Sequence, residues 1–246
     1  MNFFALLGRY VILLSRVFSK PEKSRIYLRQ IIKEIEILGL NSIGIVILRS
    51  IFIGAVITLQ TRYNLESSWI PLYLIGLTAR DTILLEFSST MVGLILAGKV
   101  GSNIASEIGH MRITEQIDAL EMMGINSASY LIFPKIIAAM LFNPILTLIS
   151  MGVGIFGGWL AAVVTGALSS ADYIYGIQYL FVPFYVTYAL VKTVVYAFII
   201  TSVSAFYGYY VQGGALEVGR ASTRGVVYSS ILILLADLVI TQLMLA

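Results

Sequence analysis

Five stretches of this chain are long and apolar enough to cross a lipid bilayer, and nothing else in it narrows the possible folds as much. A spanning helix needs ~20 mostly apolar residues to traverse ~30 Å of hydrocarbon, and within lipid every backbone N–H and C=O must be satisfied inside the element. The stretches are 41–61, 83–100, 134–165, 183–207 and 226–246. Apolar residues make up 59% of the 246 and charged residues only 12%, against ~25% charged in soluble domains. A water-soluble fold is thereby excluded, and the expectation is an all-α integral membrane protein with five transmembrane helices. The third stretch lies in an uncharged run, 136–171, that exceeds one crossing. Its excess is expected outside the hydrocarbon, as a tilted end or a short interfacial helix.

The first forty residues have a different character. Phe3, Leu7, Tyr10, Leu14 and Val17 recur at helical spacing while Asn2, Arg9 and Arg16 fall on the opposite face, the pattern of an amphipathic helix lying on a membrane surface. Arg9 and Arg16 interrupt the apolar core that a signal peptide needs. Leu28, Ile31, Ile35 and Leu38 continue the pattern, expected inward, against Lys23, Arg29, Lys33 and Glu36. The chain therefore divides into an interfacial segment, 1–40, and one membrane domain, 41–246.

Orientation follows from Lys and Arg in the connecting segments. Twelve fall on the side of the N-terminus: seven before the first span, Lys99, Arg112 and Lys135 around the second loop, and Arg220 and Arg224 before the last span. Arg62 and Arg80 fall on the other side, and Arg49 and Lys192 within spans. The N-terminus is expected in the cytoplasm and the C-terminus outside.

Cysteine is absent and His110 is the only histidine, so disulfides and thiolate metal sites are ruled out and zinc-type catalysis has little to work with. No metal or cofactor is expected. A net charge of +3 gives no case for nucleic acid.

The most informative segment is the loop 102–134, whose centre reads Thr114-Glu-Gln-Ile-Asp-Ala-Leu-Glu-Met-Met-Gly124. It predicts a short helix with Thr114 as N-cap, Glu115 at the positive dipole end and Gly124 left-handed past the last turn. Glu115, Asp118 and Glu121 form an acidic face, and Ile117 and Leu120 an apolar side. An acidic helix gains nothing from an anionic cytoplasmic membrane surface, so it is expected to face a protein.

The run Ala97-Gly-Lys-Val-Gly-Ser-Asn-Ile-Ala-Ser-Glu-Ile-Gly-His-Met-Arg-Ile-Thr-Glu-Gln-Ile-Asp-Ala-Leu-Glu-Met-Met-Gly124 resembles the signature of the MlaE permease family, as does Gly219-Arg-Ala-Ser-Thr-Arg-Gly-Val-Val-Tyr-Ser-Ser230 followed by Asp237. With the spacing of the five spans, the resemblance covers about 41–246. Entering the second span, this chain has Leu85-Glu-Phe-Ser-Ser89 where the family usually has Arg-Glu-Leu-Gly-Pro, and Glu86 is retained. The resemblance implies the permease subunit of an ATP-binding cassette transporter in the bacterial inner membrane. It further implies a homodimer that binds phospholipid, a cytoplasmic ATPase as a separate chain and a periplasmic lipid-binding partner of the MCE type. The 114–123 helix would be the coupling element, with Glu115, Gln116, Ile117, Asp118, Leu120 and Glu121 contacting or serving the ATPase.

Gly93-Leu-Ile-Leu-Ala-Gly-Lys99 begins like a phosphate-binding loop, but Val100 stands where Ser or Thr would hold magnesium and the glycines lie in an apolar helix. Arg49, Glu86, Lys192 and Asp237 are ionisable groups within or near spans, where pairing or a polar cavity is expected. They leave open an ion-coupled secondary transporter as the competing function. A serine hydrolase using Ser88, Ser89 or Ser102 lacks both a nucleophile elbow and a suitably placed histidine. Gly154-Ile-Phe-Gly-Gly158 is a small-residue contact site, expected to serve packing within one subunit rather than dimerisation.

Overall fold

The computed structural model describes residues 3–19, 24–65 and 71–245. Asn2, Lys20, Lys23 and Ala246, which enter the sequence reading, lie outside them. The described residues are helical and contain no strand. Five helical stretches are long and apolar enough to cross a membrane: Tyr27–Asn64, Tyr73–Ile113, Ser127–Val164, Phe184–Tyr209 and Ala215–Leu245. Each contains or overlaps one of the five expected spans.

The first stretch joins α2 (Ser24–Glu34) to α3 (Asn41–Asn64) through a π-helical segment, Ile35–Leu40, so the helix axis runs through position 40 without a break. The second contains α4 (Tyr73–Thr82), a π segment at Ile83–Met91, α5 (Val92–Leu96), a second π segment at Ala97–Gly101 and α6 (Ser102–Ile113). At ~1.5 Å per residue it extends well past a ~30 Å hydrocarbon core. After the short α7 (Gln116–Met122) comes α8 (Ser127–Val164), which takes up most of the long uncharged run as one helix. Pro134, expected to open that span, is interior to it, because Asn126 starts the helix by accepting the Ser129 N–H at 3.3 Å. Gly166, at φ +67°, turns the chain into α9 (Ser170–Gln178), which Ser169 caps.

α10 (Phe184–Tyr209) is the centre of the bundle and α11 (Ala215–Leu245) its rim: 67% of the apolar window of the fourth span is buried, but only 11% of that of the fifth. The main core gathers Leu96, Ile104, Ile132, Ile136, Tyr196 and Ile200 from α5, α6, α8 and α10. Against α3, α8 approaches backbone to backbone. A Cβ on Gly54 would stand 1.8 Å from the Gly154 carbonyl oxygen, and one on Gly157 would stand 2.3 Å from that of Ile51. The small-residue motif therefore packs helices within one chain, as expected.

α1 (Phe3–Val17) lies against α8 and α10. Leu13 and Val17 are buried, Leu6 and Tyr10 are half-buried, and the Tyr10 hydroxyl meets that of Ser202 at 2.8 Å. The protein-facing stripe is thus 6, 10, 13 and 17, whereas Leu7 from the expected stripe points outward. Apolar residues at helical spacing occur on both sides of this helix, and only packing decides which set meets protein. The same holds in α2, where Leu28 is exposed and its neighbour Tyr27 is buried, with its hydroxyl 3.1 Å from that of Ser129.

Candidate functional site

Three of the four intramembrane charges meet. Lys192, on α10, has a fully buried side chain, and its ammonium group lies 2.9 Å from Glu86 Oε1 and 2.6 Å from Asp237 Oδ1. A third proton points to the Leu85 carbonyl at 3.4 Å, in the π segment where the wider turn departs from the regular four-residue ladder. Three donors find three acceptors. The ammonium group also sits 4.4 Å from the Tyr188 ring centroid, a cation–π contact.

Hydroxyls close the cluster. Tyr196 donates to Asp237 Oδ1 at 2.6 Å, and Tyr188 contacts both Glu86 Oε1 at 3.5 Å and the Thr241 hydroxyl at 2.7 Å. Thr90 lies 3.2 Å from Glu86 Oε2 and 3.3 Å from Asp237 Oδ1, yet has one proton to give, so it serves one carboxylate at a time. The second, fourth and fifth spans are thus tied by two carboxylates sharing one cation, net charge −1. Lys192 is 0% exposed and Asp237 18%, but the Glu86 side chain is 42% exposed. The cluster is sealed on one side and open through Glu86 on the other.

Thr90, Tyr188, Tyr196 and Thr241 were absent from the sequence reading, although a signal existed. Each stands four residues from one of the three charges, the spacing that stacks side chains on one helix face. Arg49 does not join the cluster. Its Nη1 donates to the Met91 carbonyl at 2.6 Å, beside a cavity of about 10 Å³ lined by Ser50, Phe87, Ser88 and Ser150. Both Arg49 and Lys192 therefore bind the π segment, Arg49 at its end and Lys192 near its middle.

The second arrangement is α7 and its surroundings. Thr114 is not its N-cap: the hydroxyl donates back to the His110 carbonyl at 2.8 Å and finishes α6. The reversal between α6 and α7 is made instead by Glu115, left-handed at φ 59°, a conformation costly for a non-glycine residue, and the helix proper begins at Gln116. Gly124 is left-handed at φ +77°, as expected, and the Gly124 and Ile125 N–H groups bond back to the Glu121 and Leu120 carbonyls.

The faces of α7 sort differently from the sequence pattern. Glu115, Gln116 and Asp118 are exposed, with Asp118 held 2.7 Å from Arg112. Ile117 is fully buried against its own chain and Leu120 is half-buried, so the anticipated pair of apolar anchors does not stand free. The exposed apolar groups are Met122 and Met123, at 89% and 66%. Glu121 turns toward the bundle, where its Oε1 accepts from the Ser127 and Tyr209 hydroxyls, each at 2.9 Å. Those two bonds hold its carboxyl below the ordinary carboxylate pKa. Nearby, buried Lys135 binds Glu34 and Glu107, each at 2.7 Å, and so ties α2 and α6 to α8. A displacement of α7 thus has direct routes into α8 and α10.

Comparison with known proteins follows the same lines. The family described as Permease MlaE matches residues 31–243. The chain is 38% identical over 242 residues to a probable ABC transporter permease protein of Rickettsia bellii, covering 96% of this chain and 91% of the relative. It is 39% identical over 223 residues to a probable ABC transporter permease protein of Rickettsia felis, with 89% and 84% covered. It is 29% identical over 251 residues to the intermembrane phospholipid transport system permease protein MlaE of Haemophilus influenzae, with 99% and 94% covered.

Proposed function

The chain belongs to the MlaE permease family, multi-pass inner-membrane subunits of ABC transporters whose ATPase is a separate protein, and from that premise we propose that two copies of it carry phospholipid between the membrane and a periplasmic lipid-binding partner. The observation that carries this reading is the cluster of Glu86, Lys192 and Asp237, open to one side through Glu86. A charged group inside the hydrocarbon is expensive, so polar side chains placed there are expected to serve a pathway or a cargo. A phospholipid is polar at one end and apolar at the other: the exposed Glu86 carboxylate suits the ammonium of a zwitterionic headgroup, and the bordering apolar span faces suit its acyl chains. The phospholipid transport named for the Haemophilus relative supports the same cargo. The ion-coupled alternative gives way because the relatives are permeases of ABC transporters.

In this reading the N-terminus and α7 lie in the cytoplasm, as the twelve-to-two division of Lys and Arg supports. Helix α1 runs along the interface, and the continuous helix from Ser24 to Asn64 carries the chain from the interface into the membrane domain. The ATPase receives Glu115, Gln116 and Asp118 as an acidic edge, with Met122 and Met123 as adaptable apolar anchors. Ile117 and Leu120 face inward, and exposed Glu121, bonded through Oε1 to Ser127 and Tyr209, joins them in passing the motion to the spans.

The test is ATP-dependent transfer of phospholipid from proteoliposomes containing the permease and its ATPase, with and without Glu115→Lys combined with Asp118→Lys. Losing a desolvated charge pair costs ~2–5 kcal/mol, so ATPase recovery is expected to fall by about tenfold or more. Permease stability is expected to hold, because among the described residues the one ion pair broken is the solvated Arg112–Asp118 contact, worth ~0–1 kcal/mol. Undiminished ATPase recovery and transfer in the double variant would remove α7 from the coupling role. Absence of ATP-dependent lipid transfer by the unmodified assembly would remove the cargo.

A further inference from the structure

We propose that the chain binds a primary ammonium group in a cavity where α2, α6 and α8 meet, a site that shares no residue with the Glu86–Lys192–Asp237 cluster. The cavity, of about 170 Å³, is lined by Gln30, Lys33 and Glu34 of α2, Glu107 of α6, and Tyr130 and Lys135 of α8. It is smaller than the ~300–1,000 Å³ of drug-sized ligand sites and suits a headgroup or a small amine.

Two acceptors here lack a donor. Gln30 Oε1 and Glu34 Oε2 are buried and make no hydrogen bond among the described residues, a costly state for a carbonyl and costlier for a carboxylate. They stand four residues apart on α2, and so on one face of it. The other Glu34 oxygen is taken: Lys135 binds Glu34 Oε1 and Glu107 Oε2, each at 2.7 Å. Two carboxylates around one ammonium leave the cluster with a net charge of −1. The Lys135 side chain is 3% exposed and that of Glu34 13%, so water screens little of that charge, whereas Lys33 is exposed and its charge is solvated. A second monovalent cation brings the cluster to neutrality.

The cation that fits is an ammonium. Its three N–H donors match Gln30 Oε1, Glu34 Oε2 and the second oxygen of Glu107, which is 44% exposed. The chain holds Lys192 in the same manner, between two carboxylates and a carbonyl. A divalent metal needs more oxygen ligands, and no group of three His, Asp or Glu side chains suited to a metal occurs among the described residues. A quaternary ammonium has no N–H to give. Both an ethanolamine lipid headgroup and a soluble amine carry the required group, and the test separates them.

In the lipid arm, the photoreactive residue p-benzoylphenylalanine replaces exposed Lys33 in the full chain, in nanodiscs of equal phosphatidylethanolamine and phosphatidylcholine. Adducts weighed by mass spectrometry are expected to favour phosphatidylethanolamine about tenfold. In the soluble arm, the melting temperature of the parent permease in detergent is read with free ethanolamine or choline. A lipid preference assigns the site to a headgroup; stabilisation by ethanolamine but not choline, without a lipid preference, assigns it to a soluble amine. Gln30→Leu removes one acceptor and no ion pair, so it should cut either signal several-fold while leaving stability in phosphatidylcholine alone unchanged. Neither signal in the parent, or a signal that survives Gln30→Leu, would overturn the site. So would a loss of stability in Gln30→Leu in phosphatidylcholine alone, which would mean that the Gln30 amide turns over to donate to Glu34 and no ligand is needed. Neither arm requires the ATPase or transport, so failure here would leave the proposed function standing.

Discussion

Replacing Lys192 with methionine tests the energetics of the polar cluster most directly, since the length of the side chain is roughly kept and only the charge and its three hydrogen bonds go. In the parent, Lys192 lies 2.6 Å from Asp237 and 2.9 Å from Glu86 and is itself fully buried. Removing one partner of a buried pair costs ~3–5 kcal/mol because the other charge is left uncompensated. Two features reduce the loss here. Asp237 retains the Tyr196 hydroxyl at 2.6 Å, and Glu86, at 42% exposure, is partly solvated. The expected cost is therefore toward the lower end, ~3 kcal/mol. Asp237→Asn alone should cost less, ~1–3 kcal/mol, because Lys192 keeps Glu86 and Tyr196 still finds an acceptor. The double variant should lose less than the sum of the singles, with a coupling energy of ~0.5–3 kcal/mol, as for side chains in one network. The assay is reversible unfolding of the purified permease in mixed micelles, run in parallel with ATP-dependent lipid transfer. A Lys192→Met variant within ~0.5 kcal/mol of the parent, or strictly additive singles, would mean that the three charges are not energetically joined.

Three further outcomes follow from other parts of the fold. Gly157→Ala should destabilise by ~1–3 kcal/mol, because its new Cβ would meet the Ile51 backbone at 2.3 Å, while Gly152→Ala, with nothing within 4 Å, should be neutral or mildly stabilising in the same unfolding assay. For orientation, single cysteines at Met122 and Ser170, both exposed, should respectively resist and accept an impermeant thiol reagent in intact cells, and the reverse pattern would invert the topology. Glu121 has a depressed pKa, so its contribution is fully present above the unfolded carboxylate value near 4.5 and is lost as pH falls through the lower folded value. Tyr209→Phe, which removes one of its two donors, should move that acid-side loss of stability toward higher pH, and an unshifted acid limb in pH-dependent melting would show that the bond does not set it.

Helix number and span positions were legible in the sequence because the requirement to satisfy backbone polar groups in lipid acts on composition and length alone. Even Gly154, Gly157 and Gly158 could be assigned to helix packing from their spacing. The faces could not be assigned in this way. In a soluble helix, apolar against polar residues mark inside against outside, but α1 lies at a membrane with apolar residues on more than one side, so nothing in its residues distinguishes Leu6, which meets protein, from Leu7, which does not. The same holds for Leu28 and Tyr27, while Ile117 lies on the one apolar side of α7, and only packing decides that this side meets the protein's own bundle. Glu86, Lys192 and Asp237 were recognisable as costly charges one by one. Their union across three spans, and the exclusion of Arg49 from it, depended on helix rotation, which distant packing contacts fix. The acidic helix and its terminal Gly124 could be read locally because capping and dipole effects reach only a turn or two. The start of α7 at Gln116, with Glu115 forced left-handed, was decided by where α6 ends against the bundle, and that is a property of the tertiary structure alone.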